Sequence, residues 1–290
     1  MKIYKFFIFN TMQNIYSLLK TAREILTNAG APDAKACAEI LLSLALNVKR
    51  SKLALIRDSI VSARETDIFN GYISRRLNRE PCAYIAGSCE FMGYEFKVNK
   101  NVLIPRPETE LLTEEVLKLK INARRPSALD LCSGSGCIAV SLSKLGDFEE
   151  ITALDISAKA LEIAKENARL NRAENINFIE SDMFSGLGEK KFDIIVSNPP
   201  YVSEEEYEIL EPELKFEPAE ALKAPQDGLF FYKLTAQRAR FHLNVPGFIF
   251  LELNANKSAL IKNIFQENGF QNIEIIKDYA GLDRILKAQI

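Results

Sequence analysis

Ala128-Leu129-Asp130-Leu131-Cys132-Ser133-Gly134-Ser135-Gly136 joins an apolar run of strand length to a glycine turn, and a helical pattern starts at Ile138. Glycines at such a junction let the backbone approach a ligand over a helix N-terminus, where unpaired N–H groups gather. Outward from this stretch the chain keeps alternating. Ile151–Leu154, Ile176–Ile179 and Ile194–Val196 read as further strands, with a helix over Ala158–Leu170 between the first two. Phe248–Leu253 reads as a later strand, followed by a helix over Ala259–Asn268. Alternation of this kind predicts a mostly parallel sheet with helices on both faces. Ile273–Ile276 and Arg284–Leu286 are close enough in sequence to add antiparallel strands. Ligands of such sheets sit at the carboxyl ends of the strands, so the residues just after each apolar run are the candidates for chemistry.

The chain before residue 106 has a different rhythm. From Ile15 to Leu77 apolar residues recur at helical spacing, with Ile40, Leu41, Leu44 and Val48 on one stripe, and Gly30-Ala31-Pro32-Asp33 punctuates two helices. Met1–Asn10 continues none of these patterns and is expected to be a loose extension. Pro81 closes the bundle, and short runs at Glu90-Phe91, Tyr94–Val98 and Val102–Ile104, separated by turn residues, predict a β-hairpin linker. The expected division is a helical bundle over 1–82, the linker over 83–105 and the sheet domain over 106–290.

The 290 residues are 47% hydrophobic and 26% charged, a composition that excludes disordered and fibrous classes. No apolar run approaches the roughly 18–20 residues of a membrane span, and the opening is too short in apolar residues for a secretory signal. The cytoplasm is therefore expected. Five cysteines without Cys-x-x-Cys spacing and a single histidine, His242, support neither a disulfide framework nor a metal site. The same scarcity of histidine removes Ser-His and Cys-His nucleophile schemes. Met1–Glu80 carries a charge of +6 and the remainder −8, within a net charge of −2. A basic first segment on an acidic body reads either as a docking surface for an acidic or nucleic-acid-bearing partner or as solvated helix faces.

A second decisive stretch is Ser197-Asn198-Pro199-Pro200-Tyr201, directly after the buried run Phe192-Asp193-Ile194-Ile195-Val196. Two prolines end the strand in a stiff, extended loop, and their missing N–H groups leave carbonyl oxygens unopposed beside the Asn198 amide oxygen. That set suits a planar NH2 donor with a face to stack on Tyr201. Asp155 follows Gly136 by 19 residues, at the end of the next strand, where a carboxylate accepts both hydroxyls of a ribose. Asp182, after the third strand, can accept an exocyclic amine, with Met183 against the base. Together these describe an adenosine site. Arg106 and Glu110, just before the first strand, read either as a surface ion pair or as part of a device that closes the site. Gly134-x-Gly136-x-x-Ala139 also satisfies the dinucleotide fingerprint, but a nicotinamide-dependent dehydrogenase gives no role to the Asn-Pro-Pro-Tyr loop. S-adenosylmethionine accounts for all of these elements.

On these residues the sequence resembles the HemK/PrmC family of protein-(glutamine-N5) methyltransferases. The matching pieces are Tyr84–Gly87, Leu103–Glu110, Leu129–Ala139, Asp155–Ser157, Asp193–Tyr201, Glu217–Leu222, Asp227–Leu229 and Gly281–Arg284. The resemblance implies a Rossmann-like class I methyltransferase fold, a mostly parallel seven-stranded sheet preceded by a helical bundle. It implies cofactor contacts at Asp130, Cys132, Ser133, Gly134, Ser135, Gly136, Asp155, Asp182, Met183 and Asn198. It also implies that Asn198, Pro199, Pro200 and Tyr201 hold the substrate glutamine, with Arg106 and Thr109 on the substrate side. The implied substrate is the glutamine of the Gly-Gly-Gln motif of class I peptide chain release factors, modified by a monomer with no stable hold on nucleic acid. Departures from the family pattern at Cys132, Met183, Leu251–Asn254 and Lys257 are expected to lie away from the reaction centre. Two other readings remain. A base methyltransferase acting on adenine or guanine shares the Asn-Pro-Pro-Tyr loop, and a non-catalytic adaptor would keep only the adenosine site.

Overall fold

The computed structural model describes residues 13–121 and 125–290, so the expectation for Met1–Asn10 lies outside the described residues. The chain divides into two compact units, one running to Gly87 and taking in Pro212–Phe216, the other made of Ser88–Glu211 and Glu217–Ile290.

The first unit is helical: α1 (Ile15–Asn28), α2 (Ala34–Ala45), α3 (Ala63–Leu77) and the short α4 (Cys82–Ala86). The Asn14 side chain accepts from Ser17 N at 2.9 Å to start α1, and Ser62 and Glu65 form a reciprocal capping box on α3. Leu18, Leu26, Leu41, Leu42 and Phe69 fill the core. The stripe expected on α2 is displaced. Its buried face is Ala34, Cys37, Ala38, Leu41, Leu42 and Ala45, while Leu44 is half exposed and Val48 lies past the helix end. Small residues on that face let the neighbouring helices approach closely, and burial followed this fit rather than side-chain size. Arg76, also buried, bonds Asp33 at 2.8 Å and Glu213 at 2.9 Å, which ties the 212–216 segment to the bundle. The unit ends at Gly87, in a left-handed conformation after α4, five residues beyond the expected boundary.

The second unit opens with the hairpin β1 (Ser88–Phe91) and β2 (Tyr94–Lys97), continues with α5 (Pro107–Lys118), then enters the alternation. Its elements are β3 (Ser127–Leu131), α6 (Cys137–Leu145), β4 (Glu150–Asp155), α7 (Ala158–Leu170), β5 (Ile176–Glu180) and β6 (Phe192–Ser197). After the short helices α8 (Glu204–Glu208) and α9 (Ala219–Leu222) come α10 (Phe230–Arg238), β7 (Leu243–Glu252), α11 (Ser258–Glu267), β8 (Gln271–Lys277) and β9 (Asp283–Gln289). The seven-stranded sheet has the order β5-β4-β3-β6-β7-β9-β8, parallel except where β9 pairs antiparallel with β7 and β8. Strand residues alternate between two cores. Leu129, Ile195, Ile249 and Leu251 meet Tyr232 of α10 and Phe265 of α11; Ala128, Ile194, Val196 and Phe250 meet Leu112 of α5 and Ile138 of α6. Cover on both faces explains the unbroken apolar runs.

The hairpin is packed as part of this unit rather than as a free linker. Phe91 and Phe96 meet edge to face and join the second of these cores, and Asn167 of α7 bonds both the N–H and the C=O of Lys97. Val102–Ile104 forms no strand. The Ile104 N–H donates to the Glu217 carboxylate at 3.0 Å instead of to a ladder, and Leu103 turns to a cavity described below. β7 begins five residues earlier than expected. A register shift on β6 between Phe192 and Ile194 lets the sheet accommodate Pro246, which has no ladder N–H.

Candidate active site

β3 and β6 are neighbours, with Leu131 opposite Ser197, although 66 residues separate them in sequence. From β3 the chain winds through β4 to β5 on one side, and from β6 to β7 on the other. A crevice opens at the carboxyl ends where the winding reverses. The glycine turn and the Asn-Pro-Pro-Tyr loop leave the sheet on either side of it, locked by the Ser197 hydroxyl on the Leu131 carbonyl at 2.5 Å.

The glycine turn is built for close approach. Gly134 has φ +54° with open space where a Cβ would be, whereas Gly136 has φ +77° and a Cβ there would meet Ala164 Cβ of α7 at 3.0 Å. Asp130 is fully buried below the turn; its Oδ2 accepts from the Ser133 hydroxyl at 2.7 Å and from Ala139 N at 3.1 Å. Burial pushes its carboxyl up to about 7 against those two bonds. Asp155 accepts from Gly134 N at 2.8 Å and Ser157 N at 2.9 Å, one bond on each oxygen, and burial raises its pKa despite them. Each oxygen keeps a lone pair for a ligand hydroxyl.

A cavity of about 300 Å³ lies over these turns. Cys132, Gly134, Asp155, Asp182, Met183, Asn198 and Pro200 line it, joined by Leu103, Glu220, Lys223 and Phe231. Ser133, Ser135 and Gly136 lie behind the lining with Asp130, shaping the turn from below. Cys132 and Met183, both with positive φ, touch through their sulfurs at 3.8 Å and form an apolar wall. Two of the expected departures thus line the cavity itself.

The Asn-Pro-Pro-Tyr loop is held from behind by a carboxylate that the sequence reading left out. Glu252, at the end of β7 and only 2% exposed, accepts from the Thr109 hydroxyl at 2.6 Å and from the Tyr201 hydroxyl at 3.3 Å. Thr109 in turn accepts from Asn198 Nδ2 at 3.1 Å. Burial pushes the Glu252 carboxyl up to about 6, offset by the Thr109 bond and by Arg284. Tyr201 is not a cavity wall, since its ring packs into the core and its hydroxyl faces Glu252. The signal for Glu252 was present as a charged residue ending an apolar strand; only its neighbour strand gives it meaning. A third departure therefore touches the candidate centre.

Arg106 pairs with buried Glu217, whose second oxygen holds Ile104 N, so the Glu217–Leu222 segment is fastened over the cavity rim. Glu110 is not its partner; Glu110 accepts from Met92 N at 2.6 Å and anchors the hairpin.

The donor set fits S-adenosylmethionine. Asp155 offers paired acceptors for ribose hydroxyls, Asp182 an acceptor for an amine, and Met183, Leu103 and Phe231 an apolar wall for a flat ring. Three carboxylates against one lysine also favour a cationic sulfonium. With the sheet order above, these features define a class I S-adenosylmethionine-dependent methyltransferase.

Solved structures agree on the fold. A methyltransferase from Pyrococcus furiosus aligns over 68% of this chain and 89% of its own at TM-score 0.52 and 20% identity. A Thermus thermophilus 16S rRNA N2 G1207 methyltransferase aligns over 70% of this chain and 49% of its own at TM-score 0.51 and 22% identity. In sequence, the PrmC N-terminal domain family matches residues 17–87 and the methyltransferase small domain family residues 107–223. A release factor glutamine methyltransferase of Thermodesulfovibrio yellowstonii is 42% identical over 79% of this chain and 83% of its own. One of Fusobacterium nucleatum is 38% identical over 92% and 76%, and one of Aquifex aeolicus 36% over 96% and 99%. The chain belongs to the release factor glutamine methyltransferase family.

Proposed function

We propose that this protein methylates the side-chain amide nitrogen of the glutamine in the Gly-Gly-Gln motif of class I peptide chain release factors. The observation that carries the reading is the Asn198 amide, fixed by Thr109 at its nitrogen end on the wall of the cofactor cavity. Family membership names the substrate class. An amide nitrogen is a poor nucleophile because its lone pair is delocalised into the carbonyl, so the site must orient it. Asn198 Oδ1 and the Pro199 carbonyl accept the two amide N–H bonds and turn the nitrogen face toward the cavity. Each such bond contributes only about 0.5–1.5 kcal/mol to affinity. Alignment lowers the barrier by up to roughly 7–11 kcal/mol when the reacting atoms are held near attack distance. Bound S-adenosylmethionine supplies an electrophilic methyl group to that nitrogen. Tyr201 anchors the loop through Glu252 rather than clasping the amide plane. The amide proton passes to solvent, since no histidine or lysine contacts Asn198.

The basic helical unit docks the release factor, and the enzyme works as a cytoplasmic monomer without stable nucleic-acid binding. No helix among the described residues is long and apolar enough to cross a membrane. A base methyltransferase is disfavoured by Glu204, Glu205 and Glu206 directly beyond the Asn-Pro-Pro-Tyr loop, where they would face nucleic-acid phosphates. Incubation with S-adenosylmethionine and a release factor, followed by peptide mass spectrometry, is expected to give a one-methyl gain on the Gly-Gly-Gln peptide. A label found on nucleic acid instead overturns the assignment.

A further inference from the structure

We propose that Glu252 is a positioning residue that, through Thr109, fixes which end of the Asn198 carboxamide faces the substrate. The inference rests on the reading that Asn198 receives an NH2 group, and it follows from counting protons along three residues.

An ionised carboxylate only accepts hydrogen bonds. Glu252 Oε2 therefore takes the single hydroxyl proton of Thr109 at 2.6 Å. Thr109 Oγ1 is left with lone pairs, and the next group along, Asn198 at 3.1 Å, must donate to it. Only the nitrogen end of a carboxamide donates. Asn198 thus turns Nδ2 to Thr109, and its oxygen is the branch left for the cavity that it lines. A substrate NH2 meets an acceptor there, never a competing donor. The other oxygen of Glu252 takes the Tyr201 hydroxyl, so one carboxylate holds both ends of the Asn-Pro-Pro-Tyr loop.

The fold makes this arrangement rigid. Ser197 lies opposite Leu251 across β6 and β7, which places Glu252 beside Asn198 on adjacent strand ends. The Tyr232 hydroxyl of α10 donates to the Glu252 carbonyl at 2.9 Å and accepts from Asn254 N, fixing the backbone at the same point. The groups facing the carboxylate are Thr109 and Glu108 of α5, Tyr201 of the loop, Tyr232 of α10 and Arg284 of β9. Arg284 is held by Asp278 through two bonds of 3.0 and 3.1 Å and favours the ionised form, while Glu108 and burial oppose it. Burial raises the Tyr201 pKa well above neutrality, so its hydroxyl stays a donor.

Protonation reverses the chain. A neutral Glu252 donates to Thr109, Thr109 donates to Asn198, and the carboxamide must turn its oxygen inward and its NH2 toward the substrate. Donor then meets donor. Methyl transfer should fall as pH drops through the Glu252 pKa of about 6.

The test uses the full-length enzyme. Wild type is expected to lose kcat/KM on the acid side with an apparent pKa near 6, and Glu252→Gln, which cannot titrate, to lack that limb. Thr109→Val is expected to lower kcat about 100-fold with KM for the Gly-Gly-Gln peptide rising less than about 10-fold, and Thr109→Ser to restore it. Calorimetric S-adenosylmethionine affinity and thermal melting should stay within twofold and a few degrees for Thr109→Val, separating orientation from collapse. Peptide affinity in the presence of S-adenosylhomocysteine, at pH 5 and pH 8, reads the same reversal without turnover and should be about 10-fold weaker at pH 5 in wild type only. An acid limb shared by wild type and Glu252→Gln, or a Thr109→Val kcat within twofold of wild type, overturns the inference. If wild type binds the peptide with the expected pH response but never methylates it, the functional reading fails and the relay stands.

Discussion

Adding one methyl group at Gly136 should cost far more than adding it at Gly134, two residues away. Both have positive φ, +77° and +54°, so alanine at either is strained by about 1–2 kcal/mol. Both substitutions also restrict the unfolded chain equally, which cancels in the comparison. The difference is space. A Cβ at Gly136 meets the Cβ and Cα of Ala164 at 3.0 and 3.2 Å, and a Cα within a helix cannot swing aside as a flexible side-chain tip can. Overpacking of this kind costs roughly 1–3 kcal/mol. Gly136→Ala is therefore expected to destabilise the sheet unit by about 2–5 kcal/mol, and Gly134→Ala by about 1–2 kcal/mol. Urea unfolding followed by fluorescence or far-ultraviolet circular dichroism measures both. Ala164→Gly on the Gly136→Ala background should return the clash while costing about 1 kcal/mol for a glycine inside α7. Gly134, which lines the cavity, should lose more cofactor affinity per kcal/mol of stability than Gly136. Equal destabilisation of the two single variants, within about 0.5 kcal/mol, would refute the argument that close packing on α7 requires glycine at 136.

Asn198→Ala should lower kcat by about 100-fold or more while S-adenosylmethionine affinity changes less, measured by steady-state kinetics and calorimetry; equal turnover would remove Asn198 from the mechanism. Arg106→Ala leaves the Glu217 carboxylate, 4% exposed, without its cation, and should destabilise the unit by roughly 3–5 kcal/mol, whereas Glu217→Gln should cost less. Asp130 has a folded pKa of about 7 against an ordinary value of 3.8, so the folded state holds an extra proton between those limits and the group's contribution to stability is lost as pH rises through 7. Asp130→Asn should therefore gain stability relative to wild type between pH 5 and pH 8, by roughly 1–4 kcal/mol in urea denaturation; a pH-independent difference would contradict this.

Most of the sheet was legible because each strand is buried on both faces and each helix on one. That contrast writes unbroken apolar runs and 3.6-residue periodicity directly into the chain. Ala158–Leu170 was read to the residue. α10 was not recognised, because its exposed Phe230 and partly buried Phe231 blur the apolar stripe while Tyr232, Thr235 and Ala236 are the residues it buries. Val102–Ile104 looked like a strand because it alternates, but its backbone donor at Ile104 is spent on Glu217, 113 residues away. Asp155, Asp182, Met183 and Asn198 could be proposed from position alone, since each follows a strand and strand ends converge. Arg106 and Glu110 were paired by nearness in sequence, whereas a buried carboxylate competes better for the guanidinium than an exposed one.

What the amino-acid order determined by itself was local: where each strand stops, which turns need glycine, and that two prolines strip donors from the loop after β6. Periodicity and φ preference act within a few residues, so they can be read without a fold. Tertiary structure alone decided which of those ends are neighbours, because strand order in the sheet is set by the long-range burial of both faces. That order brought Glu252 beside Thr109 and Asn198, and with it the proton count that determines which way a carboxamide points.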